Sequence, residues 1–229
     1  MRTGSLITMG QLIMNTLPRT LITSIALLST TLASGASTVD VRVSGTLIPS
    51  ACTPLMSTDS LHFGTVSSAD LNREQPTALV EHAPTLTIAC GTPTLYGLRL
   101  LDNRAGSAYD TGRAASLGLG HTLAGEQVGA YHLDVIPARS SIDGGQVFLS
   151  LGDRTGHHWQ TSTAQPQPLP VDGGLLGLVD RPGVRSGAVP VEWAQLGIRA
   201  HGIIAPAQGL TVTDAVPLDG HVTVEVVYL

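Results

Sequence analysis

The chain contains no lysine and few aromatic side chains, and each shortage excludes or weakens a class of function. It has 229 residues, of which 3% are aromatic and 13% are charged. Without an ammonium side chain it cannot form a P-loop, a Schiff-base site or a Ser–Lys catalytic pair. The scarcity of aromatic rings weakens any function that relies on stacking against bases or sugars.

Basic residues are also too few for a nucleic-acid partner. Removal of residues 1–36 would take away Arg2 and Arg19 and no acidic residue, which leaves 10 arginines, 17 acidic residues and a net charge of −7. A protein that binds a phosphate backbone needs a basic surface, and this balance does not supply one.

The longest apolar run, residues 21–33, lies near the start of the chain. It follows Arg19 and precedes the small residues 34–36, which predicts a secretory signal peptide over residues 1–36 with Met14 as an alternative start. A run of about 13 residues is shorter than the ~20 that span a bilayer. We therefore expect residues 37–229 to be exported and to keep no membrane span.

The rest of the chain is divided into short segments by 26 glycines and 14 prolines in total. Because these segments are rich in Val, Thr and Leu, they predict an all-β sandwich that forms a single domain over residues 37–229. Residues 102–125 and 152–190 are predicted to be long loops. Strands are predicted at residues 39–48, 61–66, 85–90, 95–101, 128–136, 147–151, 196–204 and 220–229.

Two cysteines, Cys52 and Cys90, are the only ones in the sequence. In an exported protein an even number of cysteines predicts disulfide pairing, and two cysteines allow one connectivity. Neither has a histidine or another cysteine at metal-ligand spacing, so no metal site is predicted there. We expect the bond to join the strand at residues 39–48 to the strand that ends at Cys90. Closing a loop of this length contributes about 4 kcal/mol in the chain-entropy model.

The C-terminal segment, residues 220–229, alternates apolar and polar side chains. Val222, Val224, Val226 and Tyr228 fall on one face, as expected for a strand with one covered face. The backbone edge of such a strand must be paired by a neighbour, which could belong to this chain or to another.

Several motifs, taken in order, resemble those of subunits of chaperone–usher pili. The first matches are GTLIPSAC at residues 45–52, LHFGTV at 61–66, the strand TLTIA before Cys90, and the terminal strand with Tyr228. The chain is more specifically similar to a fimbrial-type family of unknown function. That similarity is carried by LDNRAGS at residues 101–107, LGLG at 117–120, VGAY at 128–131 and LDG at 218–220.

The resemblance implies an immunoglobulin-like, pilin-like sandwich that lacks its final strand. In such subunits a periplasmic chaperone lends a strand, an outer-membrane usher handles the subunit, and the N-terminal segment of another subunit then replaces the lent strand. It implies that the protein passes through the periplasm to a fimbria at the cell surface and supports adhesion. The implied acceptor edge, which the chaperone recognises, consists of Val222, Val224, Val226 and Tyr228. The implied donor strand contains Val39, Val41 and Val43.

The sequence departs from the pilin pattern in two places. Pilus subunits usually carry a glycine about 14 residues from the C-terminus, where this chain has Val216. Only 15 residues separate the predicted cleavage site from Cys52. Residues 39–48 would therefore either donate to a neighbour or form the first strand of their own domain, and both alternatives stay open.

Catalytic and metal-binding alternatives are weaker, and neither an enzyme nor a cofactor is predicted. Adjacent histidines on a strand point to opposite faces, and polar residues two apart usually mark the solvent side. Tryptophan in a sandwich is usually buried, and the acidic residues lack calcium-loop spacing. The groups considered are His157 and His158 with Asp153, His132 with Asp134, Trp159 and Trp193, and Asp102, Asn103 and Asp110.

The alternative function comes from a different class. A complete periplasmic β-sandwich could fold without help and bind a small ligand or a carbohydrate. The two hypotheses differ in whether the exported protein needs a chaperone to remain folded.

Overall fold

The computed structural model describes residues 39–40, 42–44 and 51–229. The chain divides into an N-terminal unit, Met1–Thr46, and a larger unit, Leu47–Leu229. Three 3-10 helices occur at Ser68–Asp70, Pro137–Arg139 and Ala207–Gly209, and the described ranges contain no α-helix. The strands are β1 Cys52–Met56, β2 Thr77–Ala78, β3 Thr85–Thr94, β4 Tyr96–Asp102, β5 Leu117–Gly118, β6 Gly129–Val135, β7 Ser141–Ile142, β8 Gly145–Gln146, β9 Phe148–Gly152, β10 Gln167–Pro168, β11 Leu175–Val179, β12 Val191–Ile204 and β13 Val222–Tyr228.

The first sheet is built around β12, a strand of 14 residues. Its first half pairs with β3 and its second half with β6, both antiparallel. The main order is β1-β3-β12-β6-β10, with the short strands β2, β5, β7 and β8 added at its margins. β1 therefore lies at one edge of this sheet.

The second sheet has four strands in the order β13-β4-β11-β9, all antiparallel. β13, the last strand of the chain, lies at its edge. The two sheets form the all-β sandwich that the sequence predicts.

The core lies between the inner faces of the two sheets. β3 contributes Leu86 and Ile88, which are buried, while Thr85 and Thr87 between them are partly exposed. β4 contributes Tyr96, Leu98 and Leu100, and Gly97 between the first two is buried as well. Strands with one covered face alternate because successive side chains point to opposite faces.

The disulfide between Cys52 and Cys90 is confirmed, but it does not lie where the sequence places it. Cys52 is the first residue of β1, and it is the register partner of Cys90 in β3. The Cα atoms are 4.0 Å apart. Ser57 N donates to Thr85 O, so odd-numbered residues of β1 make the ladder bonds and Cys52 occupies a non-hydrogen-bonded position. Side chains are closest at such positions, which suits a cross-strand bond.

The predicted strand at residues 61–66 is absent. Gly64 has a φ of 79°, a left-handed conformation that interrupts an extended segment. The apolar side chains are nevertheless used, because Leu61 and Phe63 pack partly buried against the core. The segment thus contributes side chains to the sandwich without joining a ladder.

The predicted loop at residues 152–190 contains β10 and β11, and β11 is an interior strand of the second sheet. All five residues of β11 are buried. Its sequence, LLGLV, does not alternate because both of its faces are covered. The predicted loop at residues 102–125 contains Asp102, the last residue of β4, and the two-residue β5, and has no other strand.

Trp159 covers the outer face of β11. A Cβ added at Gly177 would lie 2.7 Å from the Trp159 ring, and one at Gly152 would also lie 2.7 Å from it. The indole therefore lies directly on glycine backbone, and its Nε1 donates to Gly156 O at 2.7 Å. Trp159 is partly buried on this outer face instead of lying between the sheets.

The predicted signal peptide, residues 1–36, lies outside the described residues, as do Val41 and residues 45–48. Residues 39–40 and 42–44 are described, and none of them is in a strand. Val39 and Val43 are 86% and 91% exposed. Among the residues that the structure describes, no helical segment has the length and hydropathy of a membrane span.

We expect loss of the Cys52–Cys90 bond to lower the free energy of unfolding by about 2–4 kcal/mol, because the unfolded chain regains a loop of 38 residues. Urea denaturation of the oxidised protein and of a Cys52→Ser/Cys90→Ser variant measures the difference. The double substitution avoids a single reactive thiol. Equal denaturation midpoints would show that the bond does not stabilise this sandwich.

Candidate functional site

Within residues 39–40, 42–44 and 51–229, the terminal strand β13 is paired along only one of its two edges. It pairs with β4 over its whole length, from Val222 opposite Asp102 to Tyr228 opposite Tyr96. No strand among the described residues pairs with its other edge. Seven residues of backbone therefore present an open edge.

The pairing pattern determines which backbone groups face this open edge. Asn103 N donates to His221 O, and Leu229 N donates to Leu95 O, so odd-numbered residues bond to β4. Leu100 N donates in the opposite direction, to Pro170 O, as this alternation requires. The N–H and C=O groups of Val222, Val224, Val226 and Tyr228 consequently point away from β4.

The same four residues direct their side chains inward. Val226 is the register partner of Leu98, and Val224 that of Leu100, both of which are core residues. The three valines of β13 are only partly buried against that core, whereas Leu98 and Leu100 are 0% and 3% exposed. The inner face of β13 is thus incompletely covered.

The outer face of β13 is fixed to β4 by polar side chains. Arg99 Nε donates to Glu225 Oε2 at 2.6 Å, and Asn103 Nδ2 donates to Thr223 Oγ1 at 3.0 Å. Because the ion pair is more than a third exposed, its contribution to stability is small. The Arg99–Glu225 pair identifies the face of β13 that carries Glu225 and Thr223 as its polar face.

Across the sandwich, the open edge of β13 is near the edge of β1. Cys52 N donates to the Tyr228 hydroxyl at 2.8 Å, which joins the two strands at one end. The other outward-facing positions of β1 are Pro54 and Met56, and Pro54 has no N–H to donate. Proline on the outward side of an edge strand makes that edge a poor template for further pairing.

An apolar groove lies between these two edges beyond the Cys52–Tyr228 contact. Its volume is about 510 Å³, with Pro54 and Met56 on one wall and Val222 and Val224 on the other. Its floor is made of core side chains, namely Leu86, Leu119, Tyr131 and Leu133.

A second cavity of about 810 Å³ continues from the first and shares Leu61, Phe63 and Leu218 with it. The Phe63 ring packs edge-to-face with the His82 ring, with centroids 5.4 Å apart, and its centroid lies 6.5 Å from that of the Tyr131 ring. Burial raises the pKa of the Tyr131 phenol, and Asp102 raises it further while Arg104 lowers it. The Tyr131 ring is therefore uncharged at neutral pH.

The structure brings the predicted acceptor residues together, because Val222, Val224, Val226 and Tyr228 share one face and one open edge. The sequence did not indicate the opposite wall, the Tyr228–Cys52 hydrogen bond or the role of residues 61–66. Pro54 was a usable signal for the opposite wall, because a proline whose nitrogen faces outward marks an edge strand. The signal can be recognised only once the register of Cys52 with Cys90 shows which residues of β1 face outward.

Of the alternative sites, His132 and Asp134 differ from expectation. They were expected on the solvent side of a strand, yet they are 3% and 1% exposed. Residues 109–116 cover that face of β6, with Arg113 and Ala115 contacting the two side chains. Trp193 was expected to be buried, and it is 49% exposed.

The remaining polar groups stabilise loops. His158 Nδ1 lies 2.9 Å from Asp153 Oδ2, and hydrogen bonds from His158 and Thr155 hold the pKa of the Asp153 carboxyl below its usual range. Asp102 accepts from the backbone of Arg104 and Gly118, and Asp110 accepts from that of Gly112. Within the described ranges no cluster of three or more His, Cys, Asp or Glu is arranged to hold a metal ion.

The fold and the groove define a two-sheet β-sandwich with an open terminal edge. A family model described as a protein of unknown function (DUF1120) matches residues 41–117. The chain is also similar to the uncharacterized protein YhcF of Escherichia coli (strain K12), with 26% identity over a match of 226 residues; the match covers 86% of this chain and 93% of the relative.

We expect amide hydrogen exchange in β13 to alternate with residue number. The amides of Val224 and Val226 face the open edge and should exchange on the order of tenfold or more faster than those of Thr223, Glu225 and Val227. Residue-resolved exchange by NMR measures this. β4, which has partners on both edges, is the internal control. Uniform protection along β13 would mean that its outer edge is paired.

Proposed function

We propose that this protein is a structural subunit of a chaperone–usher fimbria. In this proposal the open edge of β13 and the adjacent groove accept an extended strand. A periplasmic chaperone supplies it during transit, and another subunit supplies it in the assembled fimbria at the cell surface. The carrying observation is that the open edge of β13 borders an apolar groove that no described residue fills.

The groove favours an extended polypeptide over other occupants. Four outward-facing residues of β13 repeat at the two-residue spacing of a strand, so a second strand could use their backbone groups while its alternate side chains enter the groove. Each net backbone hydrogen bond contributes about 0.5–1.5 kcal/mol, and full burial of one valine about 1.5–3 kcal/mol. A small ligand would leave most of these backbone groups unpaired.

The two edges beside the groove are unequal, which supports addition to β13. β1 offers Pro54 without an N–H, and its Cys52 N–H is already bonded to Tyr228. β13 offers donors and acceptors at every second residue. An added strand would therefore extend the second sheet and cover the groove floor from that side.

The donor role of Val39, Val41 and Val43 belongs to the same proposal. In an extended segment these three valines would share a face, at the two-residue spacing that the groove requires. Such a segment from one subunit would place its apolar side chains against the partly buried valines of β13 in another subunit.

We expect the full chain, exported alone to the periplasm, to aggregate or be degraded, and to form a one-to-one complex when its cognate chaperone is co-expressed. Val224→Asn places an amide in the groove and should reduce recovery of the complex about fivefold or more, because an unpaired buried amide costs about 1–3 kcal/mol. Thr223→Asn is the matched control, since it adds the same side chain on the exposed face. Co-purification measures both.

Substitution of Tyr228 or deletion of the last four residues should also abolish capture by the chaperone. A stable monomer without a chaperone would overturn the proposal and indicate a complete sandwich, and the groove would then be screened for small ligands and carbohydrates. Equal recovery of the two asparagine variants would exclude the groove as the binding surface.

A further inference from the structure

A buried polar cluster lies on the outer face of β6, away from the groove. His132 and Asp134 are successive residues of that face and are 3% and 1% exposed. Residues 109–116, which we call the strap, cross over them. His132 Nδ1 lies 3.3 Å from Ala115 O, and Arg113 Nη2 donates to Asp134 Oδ2 at 3.1 Å.

Asp134 is shared between the sheet and the strap. Arg199, its register partner in β12, donates from Nη2 to Asp134 Oδ2 at 2.6 Å. Arg113 binds the same carboxylate from the strap. A buried carboxylate with partners on two elements connects those elements, because removing either partner leaves its charge poorly compensated.

The protonation state of His201 follows from its hydrogen bonds. His201 Nε2 lies 2.9 Å from Arg113 Nη1. A guanidinium can only donate, so Nε2 must carry a lone pair and accept. The single ring proton of neutral His201 then resides on Nδ1, which lies 4.0 Å from Asp134 Oδ2. The ring stacks on His132 with centroids 5.2 Å apart.

The strap also contains an unfavourable backbone conformation. Ala115 has a φ of 59°, in the left-handed region that a residue with a Cβ seldom occupies. Its carbonyl is the group that faces His132. The strap therefore keeps this conformation through its side-chain contacts, which include Ser116 Oγ donating to Arg113 O at 2.9 Å.

We propose that the strap is an acid-labile closure over this cluster, and that protonation of His201 and His132 releases it in mildly acidic solution. A proton on His201 Nε2 converts the acceptor of Arg113 into a donor and places a cation against a guanidinium. A second proton on His132 adds a cation to the stacked pair. Release exposes Asp134, Arg199 and both imidazoles on the outer face of the first sheet.

The electrostatics of the closed state favour neutral imidazoles. Burial lowers the pKa of His132, and Arg113 and His201 lower it further, against Asp134 and the carbonyl of Ala115. Burial also lowers the pKa of His201. Asp134 and Glu81 act in the opposite direction on His201, while Arg113 and Arg199 reinforce the lowering.

The direction of the pH effect follows from these lowered pKa values. When the strap opens, each imidazole returns toward its ordinary pKa of about 6.5 and binds protons more readily than in the closed state. Closure is therefore fully favoured above about pH 6.5 and weakens as the pH falls through the lowered values. Between about pH 6.5 and the lowered pKa, protonation of each histidine raises the equilibrium constant for strap opening by up to about tenfold per pH unit.

Hydrogen–deuterium exchange of the strap at pH 7.5 and pH 5.0, corrected for the intrinsic exchange rate, tests the proposal. We expect at least about tenfold faster exchange over residues 109–116 at pH 5.0, with exchange in β4 and β11 unchanged. Equal corrected exchange at both pH values would overturn it. Simultaneous loss of protection in β4 and β11 would also overturn it, because the change would then be global unfolding.

Substitutions separate the histidines from other acid effects. The H132Q/H201Q variant retains an acceptor for Arg113 but cannot titrate, so its strap should stay protected at pH 5.0. Arg113→Met should open the strap at both pH values. His157→Gln, at an exposed loop position, should behave like the unsubstituted protein. Acid opening of H132Q/H201Q equal to that of the unsubstituted protein would overturn the assignment to these imidazoles.

Discussion

An antiparallel strand can bond to only one neighbour through each of its edges, and among the strands that the structure describes β13 has such a neighbour on one side alone. Its register with β4 assigns odd-numbered residues to the ladder and leaves the backbone of Val222, Val224 and Val226 facing outward. The same register turns those three side chains toward the core. One alternation thus produces both an open backbone edge and a partly covered apolar face.

The opposite wall of the groove explains why the open edge and the apolar space occur together. β1 and β13 are joined by the hydrogen bond from Cys52 N to the Tyr228 hydroxyl. Beyond that contact Pro54 removes a donor, no described ladder joins the two sheets, and a gap remains that is lined by the core side chains Leu86 and Leu133. Closing the sandwich by pairing β1 with β13 would require a hydrogen bond that Pro54 cannot make.

The sequence predicts those strands in which one face is buried and the other is exposed to solvent. β3 and β13 alternate for that reason, and both were placed within a few residues of their bounds. β11 was missed because Trp159 and glycine backbone cover its second face, which removes the alternation. His132 and Asp134 looked solvent-exposed because nothing local indicates that residues 109–116 fold over them. The groove exists because the edges of β1 and β13 do not pair with each other. That depends on the strand order of the two sheets, which local sequence patterns do not reveal.

The cross-strand disulfide has a mechanical consequence. Cys52 is the first residue of β1, and its sulfur is bonded to Cys90 in the adjacent strand β3. Tension applied to the chain ahead of Cys52 passes through a covalent bond into β3, which is held on its other side by β12. The force therefore does not act along β1, and it does not pull apart the hydrogen bonds between β1 and β3. The wall of the groove that Pro54 and Met56 form is shielded from a pulling force.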